Sequence, residues 1–142
     1  MPAASGLTGI AIVRSGDDSV YPGRQGGEFG GGISAESVGA QALCLHLVRI
    51  PAHSRGTPHR HAGHESAIYV ISGQHEIWYG PDFSHRATVG PGDFVYIPAD
   101  TPHLPVTRDE PVTAVVARTD PREQEGVRLL ALPPGHPLTA QS

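Results

Sequence analysis

The chain has 142 residues, a mass of 14.9 kDa, a formal charge of −4 and 38% hydrophobic residues, enough for one buried core of ordinary domain size. Its ten basic residues are dispersed on an acidic background, which argues against a nucleic-acid surface, and no apolar run reaches the roughly 20 residues of a membrane span. The N-terminus lacks the basic and apolar regions of a secretory signal, and a single cysteine, Cys44, allows no internal disulfide, so a cytoplasmic protein is expected.

In chain order, residues 9–14 (GIAIVR) read as a short strand. Residues 21–37 are glycine-rich with little apolar pattern and read as a long flexible loop, an arm or a lid. The glycines at 26, 27 and 30–32 have no strand before them and no amphipathic helix after them, so they do not make a phosphate loop. From residue 41 the period becomes two: Leu43, Leu45 and Leu47 share one face of a strand, and Cys44, His46 and Val48 share the other. Further short strands are expected at 57–61, 66–72, 74–79, 86–89, 93–98 and 112–118, with Gly73 turning the second of these into the third. Residues 120–132 read as one helical turn or as a strand that returns to pair. Many short, evenly spaced strands without an internal repeat define an all-β fold, a barrel or sandwich in one domain over 1–142, its core at about 40–119.

Nine histidines are the compositional oddity. In a strand, His59 and His61 project from the same face, and two imidazoles so held can chelate a divalent metal. A third candidate, His103, ends a turn stiffened by Pro98 and Pro102.

These residues carry a family resemblance. The stretch from Gly92 through Pro98 to His103 resembles the second motif of the cupins, with Asp100 where that motif has glycine. His59-Arg60-His61, followed by a strand that ends at Gly73, resembles the first. The two together span roughly residues 56–103, and the glycine expected six residues before His59 is replaced by His53. The resemblance implies a small jelly-roll β-barrel with a metal among its histidines, and a homodimer formed through an edge strand that residues 7–14 would supply. Counting from His61, the metal-binding glutamate of the family falls on Glu65; counting from Gly73, it falls on Ser66. A one-residue slip reverses the face, and the strand register favours the count from Gly73. The expected metal and catalytic set is therefore His59, His61, His64 and His103, with Glu65 in place of His64 as the alternative. A metal-activated water or a histidine would act as base.

Zn²⁺ is the favoured ion; Fe, Ni, Mn and Cu suit imidazole as well. By resemblance to small single-domain cupins of high-GC bacteria, the expected activity is metal-dependent cyclisation of a carbonyl-rich, polyketide-type small molecule. A quercetinase-like dioxygenase and a non-catalytic binder are the alternatives. His46 reads as a packed or surface histidine, and His53, His75, His85 and His136 carry no expected role. Trp78, Tyr79, Phe94 and Tyr96 read as core or barrel wall, and Cys44, without a basic neighbour in sequence, as an inert buried thiol.

Overall fold

A computed structural model describes residues 9–14, 21–22, 27–124 and 126–140. Eleven strands are found among these: β1 (Tyr21–Pro22), β2 (Glu28–Ile33), β3 (Cys44–Ile50), β4 (His59–His61), β5 (Ser66–Ser72), β6 (His75–Tyr79), β7 (His85–Val89), β8 (Phe94–Ile97), β9 (His103–Thr107), β10 (Val112–Arg118) and β11 (Val127–Leu129). A short helix, α1 (Ala35–Val38), follows β2, and a 3-10 turn (Pro137–Ala140) follows β11. The strands form two antiparallel sheets, ordered β1-β2-β3-β10-β5-β8 and β11-β4-β9-β6-β7, which face one another as in a jelly roll. None of the helices among the described residues is long and apolar enough to cross a membrane.

The period-two pattern has the consequence expected of it. In β10, Val112, Ala114, Val116 and Arg118 are buried, and in β3 so are Cys44, His46, Val48 and Ile50. The leucines of β3 therefore point outward: Leu45 is exposed and Leu47 half-buried, and Leu43, just before the strand, is exposed as well. Phe29, Val48, Ile50, Val112, Ala114 and Val116 pack as one cluster between the sheets. A second cluster, Trp78, Phe83, Leu104, Val106 and Leu138, lies where the C-terminal segment folds back. His136 fastens that segment: its Nε2–H donates to the Phe83 carbonyl at 2.8 Å, and its Nδ1 accepts from the Leu138 amide at 3.1 Å.

Three expectations are corrected. The stretch read as a flexible loop over 21–37 contains β1, β2 and α1, with residues 23–26 outside the described part. Its glycines serve close packing: a Cβ at Gly32 would stand 2.3 Å from the Leu45 carbonyl oxygen, so only glycine lets β2 lie this near β3. Residues 9–14 are not in a strand, and Ile10 and Ile12 are exposed. Phe94 and Tyr96 are surface residues rather than barrel wall, whereas Trp78 is buried. Strand β9 was hidden by Pro105, which cannot donate to a ladder. The sheet accepts it because β4 pairs with β9 only at His59–His103; beyond that the loop at Gly56 lies beside Pro105, asking nothing of its nitrogen and donating its own N–H to the Pro105 carbonyl at 2.9 Å. Of the two readings of residues 120–132, the returning strand is the one found, as β11 pairs with β4.

Candidate metal centre

Strand pairing brings the three motif histidines together. His59 stands directly opposite His103 across β4 and β9, and His61 follows two residues on, on the same face. All three are buried, and one ring nitrogen from each lies within 4.8 Å of the others. Ligands about 2.1 Å from a shared tetrahedral ion are about 3.4 Å apart, so small ring movements complete the set.

Two of the rings are aimed by the main chain. His59 Nδ1–H donates to the Thr57 carbonyl at 2.7 Å, and His103 Nδ1–H donates to the Thr101 carbonyl at 2.8 Å. A carbonyl only accepts, so each Nδ1 carries the proton and each Nε2 keeps its lone pair. Both come from the same local sequence, Thr-Pro-His, at 57–59 and 101–103. His61 differs: its Nδ1 faces Arg118 Nη1 at 3.5 Å, the outer limit of a hydrogen bond.

Electrostatics keep the rings neutral. Burial first, then the neighbouring His103, hold the His59 pKa down to about 3. Burial and the Arg118 charge take His61 down to about 2, and burial lowers His103 as well. Neutral imidazole is the form that binds a metal, and an N–H donated to a carbonyl is how such ligands are oriented, so the donor chemistry of His59 and His103 fits a divalent ion, with His61 a neutral ring beside them.

The other two candidates lie elsewhere. His64 is about one-third exposed, with Nε2 3.7 Å from Asp120 Oδ2. Glu65 is exposed on the opposite side of the strand. The Tyr96 phenol is pushed up in pKa, first by desolvation and then by the charge of Glu65 and a hydrogen bond to it. The count from Gly73 therefore gives the register: Ser66 is buried at 3% exposure and lines the lumen. Gly73 itself is fixed by its left-handed backbone and by Pro111, whose carbonyl would lie 2.1 Å from a Cβ there.

Sequence reading missed Arg118. It is 4% exposed, stands opposite both Cys44 and Ser66 in the sheet, and lines the lumen. Cys44 thus does have a basic neighbour, but burial outweighs it and the thiol pKa is raised. His46 is also interior; burial and Arg118 lower its pKa to about 4, and its Nδ1 meets the Gly30 carbonyl at 3.3 Å. His75, given no role beforehand, lines the lumen too.

The lumen is a cavity of about 80 Å³, walled by apolar residues such as Ile68, Ile77, Ile97 and Val116. That is room for several waters or a small ligand group. A wider cleft of about 350 Å³ between β7 and β8, bordered by Tyr79, Val95 and Tyr96, shares Ile77, Ile97 and His103 with it. The cleft gives a larger molecule a way to His103.

The chain belongs to the cupin family: the Cupin domain model matches residues 46–118, which include all three clustered histidines and Arg118. Among solved structures it resembles the polyketide cyclase RemF from Streptomyces resistomycificus, with 25% identity and a TM-score of 0.70 over 94% of both chains. It also has the fold of oxalate decarboxylase from Bacillus subtilis (18% identity, TM-score 0.67, 80% of this chain and 30% of that one). A Streptomyces nucleoside dehydratase shares that fold (15% identity, TM-score 0.62, 80% and 84%). Comparison with curated protein sequences gives no match.

Proposed function

We propose that residues 1–142 work as one cupin domain and form a metal-dependent enzyme that closes a ring in a carbonyl-rich, polyketide-type small molecule by aldol-type condensation. The observation that carries this reading is the convergence of three neutral imidazoles on a largely apolar lumen. Similarity to a polyketide cyclase along nearly the whole chain supports the choice of reaction.

His59, His61 and His103 would hold the ion, Zn²⁺ being favoured over Fe, Ni, Mn or Cu. When bound, a divalent ion supplies Lewis acidity, polarising a carbonyl and acidifying the adjacent carbon. The carbonyls of Thr57 and Thr101 fix the aim of two rings. The apolar wall excludes water and limits the conformations of a flexible chain, so that one ring closure is favoured. His75 Nδ1–H donates to the Gly73 carbonyl at 3.3 Å, which leaves Nε2 as a proton acceptor on a residue that lines the lumen. Burial lowers the His75 pKa and keeps it neutral. The outward position of Glu65 favours this oxygen-independent reading over a dioxygenase, for which that carboxylate was the expected ligand.

A homodimer fits the outer face of the six-stranded sheet, where Leu45, Tyr69, Ile71 and Phe94 are exposed. The deciding assay incubates the Zn²⁺-loaded protein anaerobically with a linear poly-β-carbonyl thioester and follows cyclised, dehydrated product by mass spectrometry. Product without oxygen supports the reading. Turnover only after oxygen is admitted, or absence of turnover in the loaded protein, overturns it.

A further inference from the structure

We infer that Arg118 and Ser66 form an anion subsite on the sheet facing the three histidines, so that the substrate of this lumen carries a carboxylate or enolate oxygen. The inference rests on the reading of the lumen as the substrate site.

Three observations converge. First, Arg118 is a buried cation that lines the lumen, and among the described residues it has no carboxylate within 4.0 Å. Its hydrogen-bonding contacts are Nη2 to the Glu123 carbonyl at 3.1 Å, Nη1 to His61 Nδ1 at 3.5 Å, and the Cys44 thiol. A guanidinium has five N–H donors and always carries its charge, and burying a cation without a close counter-charge is unfavourable.

Second, the nearby acids among the described residues hydrogen-bond elsewhere, although Glu123 feels the Arg118 charge from a distance. Glu123 accepts from the Ser34 hydroxyl at 3.0 Å. Asp120 accepts from the Arg122 amide at 3.0 Å and faces His64. Cys44 stays a neutral thiol, so it does not neutralise the arginine either.

Third, Ser66 pairs directly with Arg118 across β5 and β10, so their side chains rise from the same face. The Ser66 Oγ is buried with no hydrogen-bond partner among the described residues. A buried hydroxyl with no partner, paired across the sheet with a buried arginine that has no carboxylate within 4.0 Å among the described residues, is a preformed donor pair for one oxyanion. The histidines come from β4 and β9, and this pair from β5 and β10. An anion held here would lie between the two sheets, facing the histidine cluster.

The test uses acetate as probe and acetamide as its neutral isostere, titrated calorimetrically into the protein as purified and after chelator treatment. We expect acetate to bind at least 10-fold more tightly than acetamide in both forms. Arg118→Gln should abolish that preference, Arg118→Lys should retain part of it, and Ser66→Ala should weaken acetate about 3-fold, with metal content by elemental analysis unchanged in all three. Equal binding of the two probes by the parent protein overturns the inference, as does an undiminished preference in Arg118→Gln while circular dichroism reports a folded protein. Loss of metal from the Arg118 variants also overturns it, because the arginine would then be part of the metal scaffold. Metal content of His59→Ala, measured alongside, reports on the metal reading separately. If the parent protein holds no metal yet binds acetate through Arg118, the subsite stands and the metal-dependent reading falls.

Discussion

Acidifying the chelator-treated protein from pH 7 to 5 should destabilise it strongly, and the magnitude follows from three interior imidazoles. The pKa values of His46, His59 and His61 fall from 6.5 to about 4, 3 and 2 on folding. Between pH 7 and 5 the unfolded chain therefore takes up protons that the folded chain refuses. Stability rises with pH wherever the unfolded state binds more protons, so it is complete above about 6.5 and lost as pH falls toward the folded values. Each of the three costs about 2 kcal/mol over that interval, and together they cost about 6 kcal/mol. That is comparable with the whole stability of an ordinary domain, about 5–15 kcal/mol. His103 and His75, also lowered by burial, act in the same direction. Trp78, the only tryptophan and 8% exposed, provides the signal for urea titrations at pH 7, 6 and 5. The dependence of unfolding free energy on pH below 6 should correspond to at least three protons, His103 and His75 adding to the count, and His59→Gln should reduce it by about one. Uptake of fewer than one proton in the parent would refute the claim that these rings are held neutral by the fold.

Other tests bear on the site and the scaffold. His59→Ala, His61→Ala and His103→Ala should each lower the bound metal at least 10-fold by elemental analysis. His64→Ala should retain it; loss of metal from His64→Ala would instead support the four-histidine set. Gly32→Ala forces a methyl against the Leu45 carbonyl and should cost about 1–3 kcal/mol in thermal unfolding. Sedimentation should report a dimer, and Phe94→Glu together with Tyr69→Glu should return it to monomer without changing metal content.

Much of the site was legible because its logic is local. His59 and His61 are two apart on one strand, and His103 closes a proline-stiffened turn, so period two and proline geometry suffice to aim them. Gly73 gave the correct register for Ser66 because its left-handed backbone, crowded by Pro111, cannot move along the strand. Arg118 was not legible. A charged residue ending an apolar strand ordinarily marks the point where the chain meets water, and only the pairing with Cys44 and Ser66 shows it turned inward. The β2 strand was missed for a related reason. Glycine has no side chain to display a periodicity, so a strand chosen for close approach looks like a loop. In β3, hydropathy alone would have buried the leucines, whereas pairing with β10 buries Cys44, His46, Val48 and Ile50.

The paired Thr-Pro-His turns have a wider consequence. The acceptors that steer His59 and His103 are peptide carbonyls, which no side-chain substitution deletes and no change of acidity titrates. Residues around the lumen can therefore be exchanged to suit another substrate while the two imidazoles keep their bearing. Such a centre is a fixed instrument in a renewable casing, open to redesign by changing the walls alone.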